Sequence, residues 1–192
     1  MERKYLRAIG IIALILTLVM LAYTMTAAQL GRRSGSSPAP SPANAASSQT
    51  QAPQVDTKLF PQQLAGMSLA NAVTGSQAEQ AINQMHGADI KVQQAVVAMY
   101  QGNGNDQLVI YYSEAKNEQD AAALFKSMDQ KVPASKAFQN YKSVKIDGRE
   151  YKSVTSSDGM QHFYWLTGKR VMWVGIIAAN PADVLKQVAP LY

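Results

Sequence analysis

Residues 142–179, KSVKIDGREYKSVTSSDGMQHFYWLTGKRVMWVGIIAA, decide the fold of this chain. Runs of β-branched and aromatic residues alternate here with the turn-forming pairs Asp147-Gly148, Asp158-Gly159 and Gly168-Lys169. An Asp-Gly pair between two such runs is a strong signal for a two-residue hairpin turn. The stretch therefore predicts four consecutive antiparallel strands, at residues 142–146, 149–155, 160–167 and 170–179.

A second hairpin is predicted upstream of this stretch. Residues 91–101 and 107–113 have strand character, and the intervening GNGN sequence at 102–105 is typical of a turn. A helix is predicted before this hairpin, where Ser76 and Glu79 have the spacing of a capping box. The hairpin therefore lies between this helix and a second one that follows it.

Two further helices begin at good N-cap residues. Asn117 precedes a helix whose apolar residues share one face, and Asn180 followed by Pro181 opens the last helix. The predicted order is helix, two strands, helix, four strands, helix. Because hairpins dominate this order, we expect an α+β fold, an antiparallel sheet with helices packed on one face.

A membrane segment is predicted near the N-terminus. Residues 8–30, AIGIIALILTLVMLAYTMTAAQL, carry no charge, and a helix of this length spans about 34 Å, enough to cross a bilayer. The run is longer than the apolar part of an ordinary signal peptide, which favours an uncleaved anchor. Thr26-Ala27-Ala28 is a weak cleavage site, so secretion after cleavage is the alternative.

The segments around residues 8–30 predict the domain organisation. Residues 1–7 are a short basic tip, and the larger number of basic residues there favours an N-terminus inside the cell. Residues 31–57 are rich in Ser, Ala, Pro and Gly, which is typical of a disordered linker with a reach of about 30 Å. Residues 58–192 are then expected to form one α+β domain outside the cytoplasm.

The charge distribution argues against nucleic-acid binding. The whole chain has a formal charge of +5, of which +4 belongs to residues 1–55 and only +1 to residues 56–192. A nucleic-acid-binding domain is normally strongly basic itself. The chain also has no cysteine, which excludes disulfides and thiolate metal sites.

The sequence contains no catalytic motif with the required residues and spacing. His86 and His162 are the two histidines, and neither has a second histidine or a carboxylate cluster at the spacing of a metal site. The glycines at 102–104 lack the context of a nucleotide-binding loop, and no serine lies in a G-x-S-x-G sequence. We expect no enzyme activity, no metal and no cofactor.

Two groups of residues are candidate binding surfaces. The first is aromatic: one set of alternating side chains, with His162 and Tyr164 beside Met172, is a candidate for an exposed sheet face, and core packing is the alternative. The second is basic, a candidate for an anionic partner; a solvated loop and edge strand is the alternative. The aromatic group is His162, Tyr164, Trp165, Met172 and Trp173, and the basic group is Lys131, Lys136, Lys142 and Lys145.

A resemblance rests on short motifs in the last 134 residues. The opening Phe60-Pro61-x-x-Leu64-Ala65-Gly66-x-x-Leu69 is followed by Val73-Thr74-Gly75, His86-Gly87 and later His162-Phe163-Tyr164-Trp165. Together they are similar to an uncharacterised prokaryotic family of small membrane-anchored or secreted α+β proteins. The resemblance implies a fold and a location, and no reaction.

These observations lead to two functional hypotheses. The first is a non-enzymatic, membrane-tethered extracytoplasmic domain that contacts the bilayer through residues 8–30 and engages a protein partner in an envelope complex. The second is a small-ligand sensor or carrier with a pocket between sheet and helices, around His162, Tyr164 and Trp165.

Overall fold

A computed structural model gives the structure, and it describes residues 55–86 and 91–192. These residues form eight strands, three α-helices and a short 3₁₀ turn at Ala189–Leu191. In chain order the elements are β1 (Gln63–Leu64), β2 (Met67–Thr74), α1 (Gly75–His86), β3 (Gln94–Gln101), β4 (Gln107–Glu114), α2 (Glu118–Lys131), β5 (Phe138–Ile146), β6 (Arg149–Ser156), β7 (Gln161–Thr167), β8 (Arg170–Ile177) and α3 (Pro181–Val188).

Within the described residues the strands form an eight-stranded antiparallel sheet in the order β1-β2-β3-β4-β8-β7-β6-β5. The first four strands run from one edge to the centre. The chain then crosses through α2 to the opposite edge and returns through β5 to β8, which pairs with β4. The predicted α+β class with an antiparallel sheet is confirmed.

The turns predicted from Asp-Gly and Gly-Lys pairs are confirmed. Asp147 and Gly148 both have positive φ, 48° and 81°, which is the backbone that a tight type I′ hairpin turn requires. Ile146 and Arg149 pair directly across this turn. Strands β6, β7 and β8 lie within two residues of the predicted bounds, and β5 begins four residues earlier, at Phe138.

Strands β1 and β2 were not predicted. They are joined by a turn in which Ala65 and Gly66 both have positive φ. β2 carries Ser and Asn and has a bulge between Leu69 and Asn71, so its residues lack a clear alternation of apolar and polar side chains. Its pairing with β3 supplies the order that its own sequence does not indicate.

The expectation that all helices pack on one face of the sheet was wrong. Trp173 packs in a cluster with Ala121 and Met128 of α2, whereas the next residue, Val174, packs in a cluster with Leu185 of α3. Since neighbouring strand residues point to opposite faces, α2 and α3 cover opposite faces of the sheet. We call these the α2 face, which α1 also covers, and the α3 face.

Helices α2 and α3 each pack an apolar side against the sheet. In α2 the Asn117 side chain accepts a 2.8 Å hydrogen bond from the Asp120 N–H, which confirms the predicted N-cap. In α3 Pro181 occupies the first turn, and Val184, Leu185 and Val188 face the sheet.

No helix in the described part of the chain is long and apolar enough to cross a bilayer. The predicted anchor at 8–30 and most of the predicted linker lie outside the described residues.

Candidate functional site

The five residues predicted to form an aromatic surface are all buried. His162 is 8% exposed and the other four are at most 2% exposed, so they do not form an open sheet face. They also separate onto two faces, because Trp165 pairs with Met172 on the α3 face and Tyr164 pairs with Trp173 on the α2 face. Met172 therefore does not lie beside Tyr164. The structure supports the alternative, core packing, at these positions.

On the α2 face His162 is held in a chain of hydrogen bonds. The Trp173 indole N–H donates to His162 Nδ1 over 3.0 Å, and His162 Nε2 lies 2.9 Å from Ser156 Oγ. Because Nδ1 accepts a hydrogen bond, the neutral ring carries its proton on Nε2 and donates it to Ser156. Ser156 Oγ then donates to Asp158 Oδ1 over 2.5 Å. The chain links β8 to the turn between β6 and β7.

This Ser, His and Asp set does not have the directions of a nucleophilic triad. In a triad the histidine accepts the serine proton at one nitrogen, and a carboxylate accepts from the other. Here the indole N–H of Trp173 occupies the far nitrogen of His162, and the serine gives its proton to Asp158. Burial lowers the pKa of His162 to about 4, so the ring stays neutral near pH 7. The geometry serves structure and not proton transfer.

A glycine makes room for the His162 ring. A Cβ at Gly175 would lie 2.5 Å from Met160 Sδ and 3.0 Å from His162 Nδ1, both closer than van der Waals contact allows. His162 and Gly175 are direct partners across β7 and β8. The absence of a side chain at position 175 therefore lets the imidazole lie over β8.

A second hydrogen-bonded group on the α2 face centres on Asp129 of α2. Its Oδ1 accepts from the hydroxyl of Tyr164 at 2.9 Å and from the hydroxyl of Tyr141 at 3.0 Å. Burial, and then the bond to Asp129, raise the pKa of Tyr164 above its ordinary value. Tyr164 also stacks on Trp173 with ring centroids 4.9 Å apart and planes 7° apart. Asp129 thus ties α2 to β7 and to β5.

Sequence reasoning missed Asp129, Ser156 and Asp158. Asp129 meets Tyr164 across 35 positions of sequence, and no local pattern indicates that contact. For the other two a signal existed, because a hairpin turn at Asp158-Gly159 brings position 156 close to position 162. The sequence does not indicate which of these groups donates a hydrogen bond and which accepts it.

The four lysines of the predicted basic group are all exposed. Lys142 and Lys145 lie on β5, Lys131 is the last residue of α2, and Lys136 lies in the connection between them. None of the four forms an ion pair with a carboxylate of the described residues, where the ion pairs involve Lys152, Arg170 and Lys186. They remain unneutralised within the described fold.

Positive charge is concentrated in the part of the chain that contains these four lysines. Residues 126–152 contain seven Lys or Arg and three Asp or Glu, a net charge of +4. The remainder of residues 56–192 has six Lys or Arg and nine Asp or Glu, a net charge of −3. The near-neutral domain is therefore strongly polarised toward β5.

Among the described residues strand β5 lies at the edge of the sheet and pairs only with β6. Most of its nine residues are exposed, including Tyr141, which is 40% exposed. On the α3 face Val144 and Ile146 pack partly against the core. We call Phe138–Ile146, with its outward backbone and lysines, the β5 edge. The structure shows the alternative at these lysines, an exposed loop and edge strand, and the anionic partner stays a prediction.

A cleft of about 360 Å³ lies away from all these residues, at the start of α1 and of β3. Its lining includes Asp56, Gly75, Glu79 and Val92. It is not the pocket of the small-ligand hypothesis, whose His162, Tyr164 and Trp165 are packed in the core. In the described ranges no group of three His, Asp or Glu side chains is placed to hold a metal ion.

Comparison with known proteins adds no relative to this geometry. No protein-family model, no curated protein and no solved structure matches the chain. The resemblance to a family of small anchored or secreted proteins stays a prediction, and the β5 edge stands as the candidate functional site on its own geometry.

Proposed function

We propose that this protein is a membrane-tethered extracytoplasmic binding domain, without enzyme activity, that engages a protein partner in an envelope complex. The apolar segment 8–30 and the Ser/Ala/Pro/Gly linker 31–57 support the tether. A flexible linker suits a domain that must reach a partner at some distance from the bilayer.

The observation that carries the proposal is the β5 edge. Its nine-residue strand has one side without a strand partner in the described part of the chain, and such a side offers backbone donors and acceptors that pair readily with another chain. Its unneutralised lysines add a charge that a partner can match.

The use of the polar residues also supports a binding role. His162, Ser156 and Asp158 bond to one another or to the core, and Asp129 is occupied by two tyrosine hydroxyls. These are the groups that a catalytic role would need free and aligned with a substrate. Along β5, by contrast, Lys142 and Lys145 are exposed and form no ion pair within the described residues.

Photo-crosslinking from native membranes tests the proposed partner. A photoreactive residue is placed at Ser143 of the full chain, and at Gln187 on the exposed side of α3 as a matched control. We expect a discrete adduct with a different protein from position 143 and none from position 187. Adducts with the chain itself alone, or equal adducts from both positions, would contradict the proposal.

The location is tested separately. Intact cells that produce the chain are treated with protease, and the mass of the N-terminal fragment is measured. We expect the domain to be digested from outside while a fragment containing residues 8–30 stays with the membrane. A protected domain would overturn the extracytoplasmic location, and a mature N-terminus after residue 28 would show that the segment is cleaved.

A further inference from the structure

We infer that the β5 edge accepts an acidic, extended polypeptide segment of the partner as a ninth strand of the sheet. This inference rests on the proposed function, because it specifies how the partner binds. The ligand is a polypeptide segment that pairs with β5 through its backbone.

The backbone of β5 has free groups at alternate residues. In a hairpin closed by a two-residue turn, the residues flanking the turn exchange hydrogen bonds, and here they are Ile146 and Arg149. The next residue along the strand, Lys145, therefore points its N–H and C=O away from β6, and so does Ser143. These two residues offer four hydrogen-bonding groups to an added strand.

The part of β5 next to its turn into β6 is regular enough to pair with another strand. From Lys142 to Ile146 the register with β6 is continuous, a length of about 17 Å. The bulge of this strand lies before it, between Gln139 and Lys142, where Asn140 has a φ of 57°. The bulge limits the added strand to about five residues.

The positions of the two lysines on β5 favour an added polypeptide strand over a planar lipid surface as the ligand. Lys142 shares the α3 face with Val144, whereas Lys145 lies on the α2 face opposite Glu150. The positive charges thus stand on both sides of the edge. An added strand also directs its side chains alternately to both faces, so acidic residues three positions apart meet both lysines. A planar lipid surface meets only one of them.

The same charges disfavour a second copy of this chain. Pairing β5 with β5 would bring lysines of two copies close together, and like charges on neighbouring strands are destabilising. An acidic segment removes that repulsion and neutralises a region with a net charge of +4.

The test measures binding of a fluorescein-labelled peptide, TVEVTEVT, to the full chain in phosphatidylcholine nanodiscs by anisotropy. Its two Glu residues are three positions apart, as are Lys142 and Lys145. The key variant is Ser143→Pro, which removes an outward N–H and leaves the β5–β6 bonds in place. Ser143→Ala is the matched control, since both variants lose the hydroxyl that accepts from Lys152 Nζ.

We expect Ser143→Pro to weaken binding at least tenfold relative to Ser143→Ala, and the TVKVTKVT peptide to bind at least tenfold more weakly than TVEVTEVT. The double variant Lys142→Glu with Lys145→Glu should reverse this peptide preference. Equal binding by the Pro and Ala variants would overturn strand addition. Equal binding of TVEVTEVT and TVKVTKVT would also overturn it, because the lysines would then not select an acidic segment.

These results separate the two proposals. A crosslinked partner at position 143 together with Pro-insensitive peptide binding would keep the proposed function and reject strand addition. Pro-sensitive peptide binding without any crosslinked partner would keep strand addition and reject the envelope complex. A folded Ser143→Pro variant is verified by its circular dichroism spectrum.

Discussion

The two faces of the sheet bury the same kinds of side chain and treat their polar atoms differently. On the α2 face the indole of Trp173 donates to His162, and the hydroxyl of Tyr164 donates to Asp129. On the α3 face Trp165 Nε1 and Tyr100 Oη are buried and have no hydrogen-bond partner among the described residues. The hydroxyl of Tyr192, also on the α3 face, does donate to the Leu59 carbonyl oxygen over 2.7 Å, so the difference between the faces lies in Trp165 and Tyr100.

The difference matters for stability. A buried polar atom that loses its partner costs about 1–3 kcal/mol, whereas one that never had a partner can be removed at little cost. Aromatic contacts occur on both faces: Phe60 meets Tyr112 edge to face on the α3 face, with ring centroids 5.8 Å apart, and Tyr164 stacks on Trp173 on the α2 face. We therefore expect matched substitutions on the two faces to have different consequences.

The largest effect is expected from an apolar deletion on the α3 face. Leu185 of α3 is fully buried, and Leu185→Ala should lower the free energy of unfolding by about 3–4 kcal/mol through lost burial and the cavity left behind. Urea denaturation measures it. Gln187→Ala, on the exposed side of the same helix, should change it by less than about 0.5 kcal/mol. Similar losses from both would show that α3 is not held by packing.

The α2 face should make stability depend on pH. The pKa of His162 is lowered from 6.5 to about 4, so between these values the unfolded chain binds more protons than the folded one. Stability should fall by about 2 kcal/mol as the pH drops from 7 to 5. His162→Asn keeps an acceptor for the Trp173 indole and should flatten this part of the profile. An unchanged profile would refute a buried neutral His162.

Asp129 should matter through its acceptor oxygen. Asp129→Ala leaves the fully buried Tyr164 hydroxyl without a partner and should cost about 2 kcal/mol. Asp129→Asn keeps an oxygen that accepts and should cost less than half as much. Thermal unfolding of the two variants gives the comparison, and equal losses would mean that the charge, and not the hydrogen bond, is what stabilises this contact.

The smallest effects are the sharpest test of the two faces. Tyr100→Phe removes a buried hydroxyl without a partner and should leave stability unchanged or raise it by about 0.5 kcal/mol. Tyr164→Phe removes a bonded hydroxyl and should lower stability by about 1 kcal/mol. Burial raises the pKa of Tyr100 to about 12, so neither measurement near pH 7 involves its ionisation. A loss at Tyr100 as large as at Tyr164 would remove the distinction between the faces.

The sequence predicted the elements that local chemistry determines. Four turns, at 102–105, Asp147-Gly148, Asp158-Gly159 and Gly168-Lys169, indicated six strands, and Asn117 and Asn180 indicated two helix starts, because these signals act over two to four residues. Strand β2 was missed, since its Ser and Asn residues are ordered by pairing with β3. A sequence signal for helices on both faces of the sheet did exist. The apolar residues at 163–166 and 171–177 form nearly continuous runs, whereas a strand covered on one face alternates apolar and polar residues.

Some features of the candidate site also follow from the sequence, and others depend on the topology of the sheet. The exposure of the lysines followed from composition, because the run 131–145 contains no acid and a lysine without a partner is almost never fully buried. That Lys142 and Lys145 flank one sheet edge on opposite faces depends on the crossover through α2, which carries β5 to the far side of the sheet. Such a placement is a property of topology, and no residue spacing encodes it.

The unequal ends of the sheet have a consequence for how far assembly can proceed. At one end β1 is only two residues long and β2 is bulged between Leu69 and Asn71, whereas at the other end β5 has five residues, Lys142 to Ile146, in continuous register beyond its own bulge. In the language of polymer chemistry the two ends of the described sheet differ in reactivity, and the β5 end carries the longer regular run. Under the proposed strand addition we expect growth to stop after one event at β5, in a complex of one chain with one partner.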